Sequence, residues 1–129
     1  MDEKNKILLI DSEVNFTTSM SFWLESKGYP VIVANNAEDG IEMTKKEKPA
    51  LVFLDLKMPI IDGIEAIKRI REFDKDVPII IISAYLEKLK LTEAGRYKIS
   101  GIFYKGEDFE KRLNLIKAAL RTHKKLKSK

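Results

Sequence analysis

Five short apolar runs punctuate the chain, at residues 7–10, 31–34, 51–54, 79–82 and 101–104. The third, Leu51-Val-Phe-Leu54, has no polar residue alternating with it and reads as a strand buried on both faces. The other four are equally short and read as strands too. Between them, apolar residues recur at helical spacing. Over 13–27, Phe16, Met20, Trp23 and Leu24 fall on one face, and Gly28 ends the helix. Asn36 can cap a second helix, with Glu38 and Asp39 in its first turn, Ala37, Ile41 and Thr44 inward, and lysines before Pro49. A third starts near Gly63 and shows Ile64, Ile67 and Ile70 before Phe73, and Asp76-Val-Pro78 then breaks the chain. A weaker pattern over 87–98 offers Leu89, Ala94 and Tyr97 as inward positions, with Gly95 inside it. From Asp108 a last helix presents Phe109, Leu113, Ile116 and Leu120 and is expected to fray in a basic tail.

Strand and helix thus alternate five times. Short connections of this kind imply parallel strands joined by right-handed helical crossovers, with helices on both faces of one sheet. The expectation is an α/β fold: a doubly wound, flavodoxin-like (βα)5 sheet in the order 2-1-3-4-5.

Four of the five runs lead directly into a polar residue: Asp11, Asp55, Ser83 and Lys105. In a parallel sheet all these exits lie along one edge. In the order 2-1-3-4-5 they converge on one crevice, where open α/β sheets bind ligands. A polar residue at one strand exit is commonplace. Four of complementary type at one edge point to a site. Two acids favour a hard divalent cation such as Mg²⁺, and a lysine and a hydroxyl beside it suit a phosphoryl group. A carboxylate facing phosphoryl oxygens can itself be the nucleophile. After Asp55 the chain reads Leu56-Lys57-Met58-Pro59, then Asp62-Gly63, a loop that turns into the next helix.

With these residues, and with Ile7 to Glu13, Pro78 to Ala84 and Phe103-Tyr104-Lys105, the chain resembles a response-regulator receiver domain of two-component signalling, chemotaxis-regulator-like, over nearly its full length. The resemblance implies that Asp55 is the phosphoacceptor for a histidine kinase or a phosphotransfer protein. It implies Mg²⁺ held by Asp11, Asp55 and the main-chain carbonyl of Lys57. Ser83 corresponds to a switch hydroxyl, Lys105 to a lysine that pairs with the phosphoryl group, and Ala84 to a small residue leaving access to the acceptor. Lys57 and Tyr85 would flank the acceptor and tune access of water. The surface of helix 4, strand 5 and helix 5 would dock an output domain or a second copy.

Three positions depart from the family pattern. Ser12 stands where a second acid is usual, which lowers the expected Mg²⁺ affinity unless Glu13 reaches in. Ile102 stands where a switch aromatic is usual, and Phe103 next to it would face the opposite way. Gly106 replaces a proline after the lysine. These departures motivate an alternative, a phosphorylation-impaired receiver acting as a protein-interaction module. A phosphohydrolase acting on small molecules would need a substrate-enclosing cap and a second acid where Lys57 stands. A nucleotide site would need glycines in the loop Asp11-Ser12-Glu13. Turnover catalysis is therefore not expected.

Composition narrows the picture further. At 129 residues with 44 % apolar and 34 % charged positions, a single globular domain is expected, a receiver over 1–120 with a basic tail over 121–129. The net charge of +4 is a property of Arg121, Lys124, Lys125, Lys127 and Lys129; without them nineteen positive residues face twenty negative ones. The domain itself is then not expected to bind nucleic acid. No apolar run is long enough to span a bilayer, the start is unlike a signal peptide, and cysteine is absent, all of which fit a cytoplasmic protein.

Overall fold

The computed structural model describes residues 5–84 and 88–127. Five strands, β1 (Ile7–Ile10), β2 (Val31–Ala34), β3 (Leu51–Asp55), β4 (Ile79–Ser83) and β5 (Gly101–Tyr104), alternate with five helices, α1 (Val14–Ser26), α2 (Ala37–Glu47), α3 (Gly63–Phe73), α4 (Lys88–Gly95) and α5 (Phe109–Lys127). The strands are all parallel, in the order β2-β1-β3-β4-β5. This is the doubly wound fold that the alternation predicts.

Side chains alternate across each strand, and the core accordingly divides in two. Leu8, Ile10, Val52, Leu54, Ile79 and Ile81 pack with Ala37, Ile64, Ile67, Ile70 and Ala94 of α2, α3 and α4. Ile7, Leu9, Leu51, Phe53, Ile80, Ile82 and Phe103 pack with Met20, Leu24, Ile116 and Ala119 of α1 and α5. β3, the middle strand, is buried throughout. Phe53 and Phe103 are fully buried, each worth on the order of 2–3 kcal/mol of apolar transfer.

Local signals set the helix ends. The Asn36 side chain accepts the Asp39 amide at 2.8 Å, and the Asp62 side chain accepts the Glu65 amide at 3.0 Å. Glu38 and Asp39 open α2, and Lys45 and Lys46 close it, each sign matching its end of the helix dipole.

Some boundaries differ from expectation. β3 and β4 each run one residue further and take in Asp55 and Ser83. α4 is shorter than the expected 87–98 and stops at Gly95, the weakest helix former in it. Tyr97 therefore lies past the helix, though it still packs on the core. α5 continues through the first residues of the basic tail to Lys127. Lysine and arginine are good helix formers and favour a helix C-terminus.

Candidate functional site

The strand alternation explains which exits meet. Phe53 faces the α1/α5 layer, and Asp55 continues its alternation. Leu9 and Phe103 face the same layer, so Asp11 and Lys105, each two residues on, approach from that side as well. Ser83 follows Ile79 and Ile81 and comes to the same edge from the opposite layer. Ser12, Glu13, Asp55, Leu56, Lys57, Ser83, Ala84 and Lys105 line one cavity of about 160 Å³. A larger hollow of about 270 Å³ lies between the start of α2 and the loop before α3, but it is lined mainly by Pro59, Ile60 and Ile61 opposite Asn36 to Asp39. The smaller cavity collects the complementary charges, and the site is assigned there.

Asp11 and Asp55 are both buried, at 0 % and 5 % exposure. Each is tied to the backbone two residues ahead. The Glu13 amide donates to Asp11 Oδ1 at 2.9 Å, and the Lys57 amide donates to Asp55 Oδ1 at 3.2 Å. These Asx-type turns leave the second oxygen of each carboxylate on the side of Lys105. Lys105 is held by its own amide, which donates to the Ser83 carbonyl at 2.9 Å. Its ammonium bonds the Glu13 carboxylate, lies 2.9 Å from Asp11 Oδ2 and stands off at 3.6 Å from Asp55 Oδ2. The Asp11 contact has ion-pair distance without hydrogen-bond geometry.

The electrostatics follow from burial. Loss of solvent pushes the Asp55 carboxyl up, and the Asp11 charge pushes it further, so that it rises from 3.8 to about 6 despite the Lys57 amide and Lys105. Burial alone would lower Lys105. Its hydrogen bond to Glu13, its close contact with Asp11 and the charges of Asp11 and Asp55 outweigh that and hold it above the usual lysine value.

The donor chemistry fits a hard divalent cation. Two buried carboxylates stand together, one oxygen of Asp11 lacks a hydrogen bond, and three acids face a single lysine. Among the described residues no three acids, histidines or cysteines form a metal cluster by themselves. Glu13, the residue expected to supplement Ser12, lines the same cavity and pairs its carboxylate with Lys105. Ser12 lines the cavity.

The family model of the response regulator receiver domain matches residues 7–117. The chain belongs to this family. The receiver is 38 % identical over 79 residues to the alkaline phosphatase synthesis transcriptional regulatory protein PhoP of Bacillus subtilis, covering 61 % of this chain and 33 % of that protein. It is 35 % identical over 82 residues to sporulation initiation phosphotransferase F of the same organism, covering 64 % of this chain and 66 % of that one. The chain thus spans a third to two thirds of the length of these relatives. A CheY-like response regulator receiver domain protein from Methanospirillum hungatei superposes with a TM-score of 0.90 at 22 % identity, over 94 % of this chain and 97 % of that one. A receiver domain protein from Clostridium thermocellum gives 0.89 at 22 %, over 95 % and 98 %. At that identity the two structures speak for the fold.

The remaining expected site residues are placed as follows. Ala84 is exposed at the cavity. Ile102 is half-buried against the α2–α4 layer, whereas Phe103 faces the α1/α5 layer. Tyr85 lies outside the described residues.

Two residues near the receiver site were not expected there. Phe16 puts its ring 4.9 Å from the Lys105 ammonium. Arg112 is 2 % exposed, stacks 4.0 Å from the Phe103 ring and sits 5.3 Å from Phe16. Burial pushes its guanidinium down to about 10, against the pull of Glu107. Helical spacing alone, three residues after Phe109 and four before Ile116, places Arg112 on the inward face of α5. Its charge is what hides it from a hydrophobic pattern.

Proposed function

We propose that this chain is a phosphoacceptor receiver of a two-component phosphorelay, with Asp55 accepting a phosphoryl group from a histidine kinase or a phosphotransfer protein. The observation that carries the reading is the buried Asp55 carboxylate at the end of β3, beside Asp11 and Lys105 and sharing its cavity with Ser83. In the transfer, an Asp55 oxygen attacks phosphorus in line with the leaving group. The P–N bond of a phosphohistidine breaks as the P–O bond forms, and the imidazole keeps the electron pair and takes a proton. Asp11 and Asp55, with the Lys57 carbonyl and Ser12 at the rim, would hold Mg²⁺, whose charge offsets that of the phosphoryl oxygens. Lys105 and Ser83 would bind those oxygens, and the surface of α4, β5 and α5 would change its packing toward an output domain or a second copy. On this reading the domain is a cytoplasmic regulatory phosphoacceptor with no turnover on small molecules, it leaves nucleic acid to other partners, and residues 121–129 are a basic extension of a receiver over 1–120. No described helix is long and apolar enough to cross a membrane.

A small phosphodonor with Mg²⁺ should add one phosphoryl group to the wild type and none to Asp55→Asn, read by intact mass. Equal incorporation in both would refute the assignment of Asp55. The second reading, an impaired receiver acting as an interaction module, is favoured by the neutral Ser12 at the metal seat. Tight Mg²⁺ binding by the wild type, unimproved in Ser12→Asp, would eliminate it.

A further inference from the structure

The first turn of α1 makes two contacts with Lys105 that the acceptor chemistry does not require. Glu13 occupies the N-cap position, where a side chain ordinarily accepts a helix amide, yet it makes no such bond. Its carboxylate instead crosses to the end of β5 and takes the Lys105 ammonium. One turn later Phe16 sets its ring 4.9 Å from the same ammonium. The Glu13 amide is itself fixed on Asp11 Oδ1 at 2.9 Å, so this turn is anchored to the acidic pair. Lys105 rests on Glu13 and Asp11 and is farther, at 3.6 Å, from Asp55.

We infer that Glu13 is a positioning residue that latches Lys105 off the acceptor in the resting state and releases it when Asp55 carries a phosphoryl group. The inference rests on the phosphoacceptor reading of Asp55. Its physical basis is a competition between two anions for one ammonium. Esterification adds charge and three acceptor oxygens at Asp55, whereas Glu13 is unchanged. The Asp55 side chain is 6 % exposed and that of Glu13 is 61 % exposed, so each added unit of charge acts more strongly at the acceptor. The lysine then transfers to the phosphoryl oxygens, and the lost Glu13 pair is a cost borne only by the phosphorylated form. Phe16 serves either position, because it holds the ammonium from the α1 side.

The test uses acetyl phosphate and Mg²⁺ on the full chain, with wild type, Glu13→Gln, Glu13→Ala and Asp55→Asn compared. The modified fraction at steady state and its decay after donor removal are followed by intact mass, and beryllium fluoride affinity is measured as a second readout. Loss of a partly exposed ion pair predicts about a threefold to fivefold gain in beryllium fluoride affinity and phosphoryl lifetime for both Glu13 variants at low salt. The gain should shrink in high salt, which a purely structural role of Glu13 would not produce. A modified wild type with Glu13 variants that match it or bind the mimic more weakly overturns the latch and leaves the Asp55 reading intact. An unmodified wild type overturns both.

Discussion

Replacing the Asp55 carboxylate with an amide should make the fold more stable at neutral pH, although it removes the proposed acceptor. The folded carboxyl titrates near 6 rather than 3.8, chiefly because it is buried and next because Asp11 is beside it. Its folded pKa lies above its unfolded one, so the native state binds the proton more tightly. The associated stability is fully present below about pH 4 and is lost as pH rises through about 6. At about 1.4 kcal/mol per pH unit, the ionised wild type forgoes up to roughly 3 kcal/mol at pH 7. Asparagine escapes this loss, can still accept the Lys57 amide, and can donate to Asp11. It forfeits the 3.6 Å contact with Lys105, but that ammonium keeps Asp11 and Glu13. Allowing for that loss and for water at the cavity mouth, a net gain of about 1–2 kcal/mol is expected. Urea unfolding without divalent cations checks it. With a slope of about 1–3 kcal/mol per molar for a domain of this size, the midpoint should rise by about 1 M at pH 7, and the difference should close toward pH 4. An Asp55→Asn midpoint equal to or below wild type at pH 7 would refute the electrostatic account.

Two further substitutions probe the segment that follows Asp55, between β3 and the start of α3. A Cβ added at Gly63 would lie 2.5 Å from the Leu56 Cα and 2.6 Å from the Asp55 carbonyl oxygen, both backbone atoms, so Gly63→Ala should destabilise by about 2–3 kcal/mol in urea unfolding and depress phosphoryl uptake. Ile60 is 99 % exposed at φ 69°, a left-handed conformation unsuited to a β-branched residue. Ile60→Gly should raise the melting temperature, by about 1 kcal/mol of stability, without altering phosphoryl uptake; a lower melting temperature would show that the side chain packs in solution.

Much of the molecule was legible in order along the chain. The apolar runs mark all five strands, Asn36 caps the second helix, and Ile64, Ile67 and Ile70 do face the core from α3. Alternation along the strands also separated Ile102 from Phe103 correctly. The limits of α4 and α5 were less legible. Gly95 and the closing lysines shift helix ends by local free energies too small to show in a hydrophobic period.

The sequence by itself determined the architecture and the identity of the groups at the sheet edge. Periods of two and of about 3.6 residues report which way side chains point within an element, and short connections leave few topologies. Tertiary structure alone decided how those groups share charge. Lys105 has three acids within 4 Å and rests on Glu13 and Asp11 rather than on Asp55. Asp55 titrates near 6 because of desolvation and a neighbour 44 positions away in the chain. Phe16 and Arg112 enter the surroundings of Lys105 and Phe103 from α1 and α5. Such effects depend on distances through space and on exclusion of water, neither of which is written in the spacing of residues along a chain.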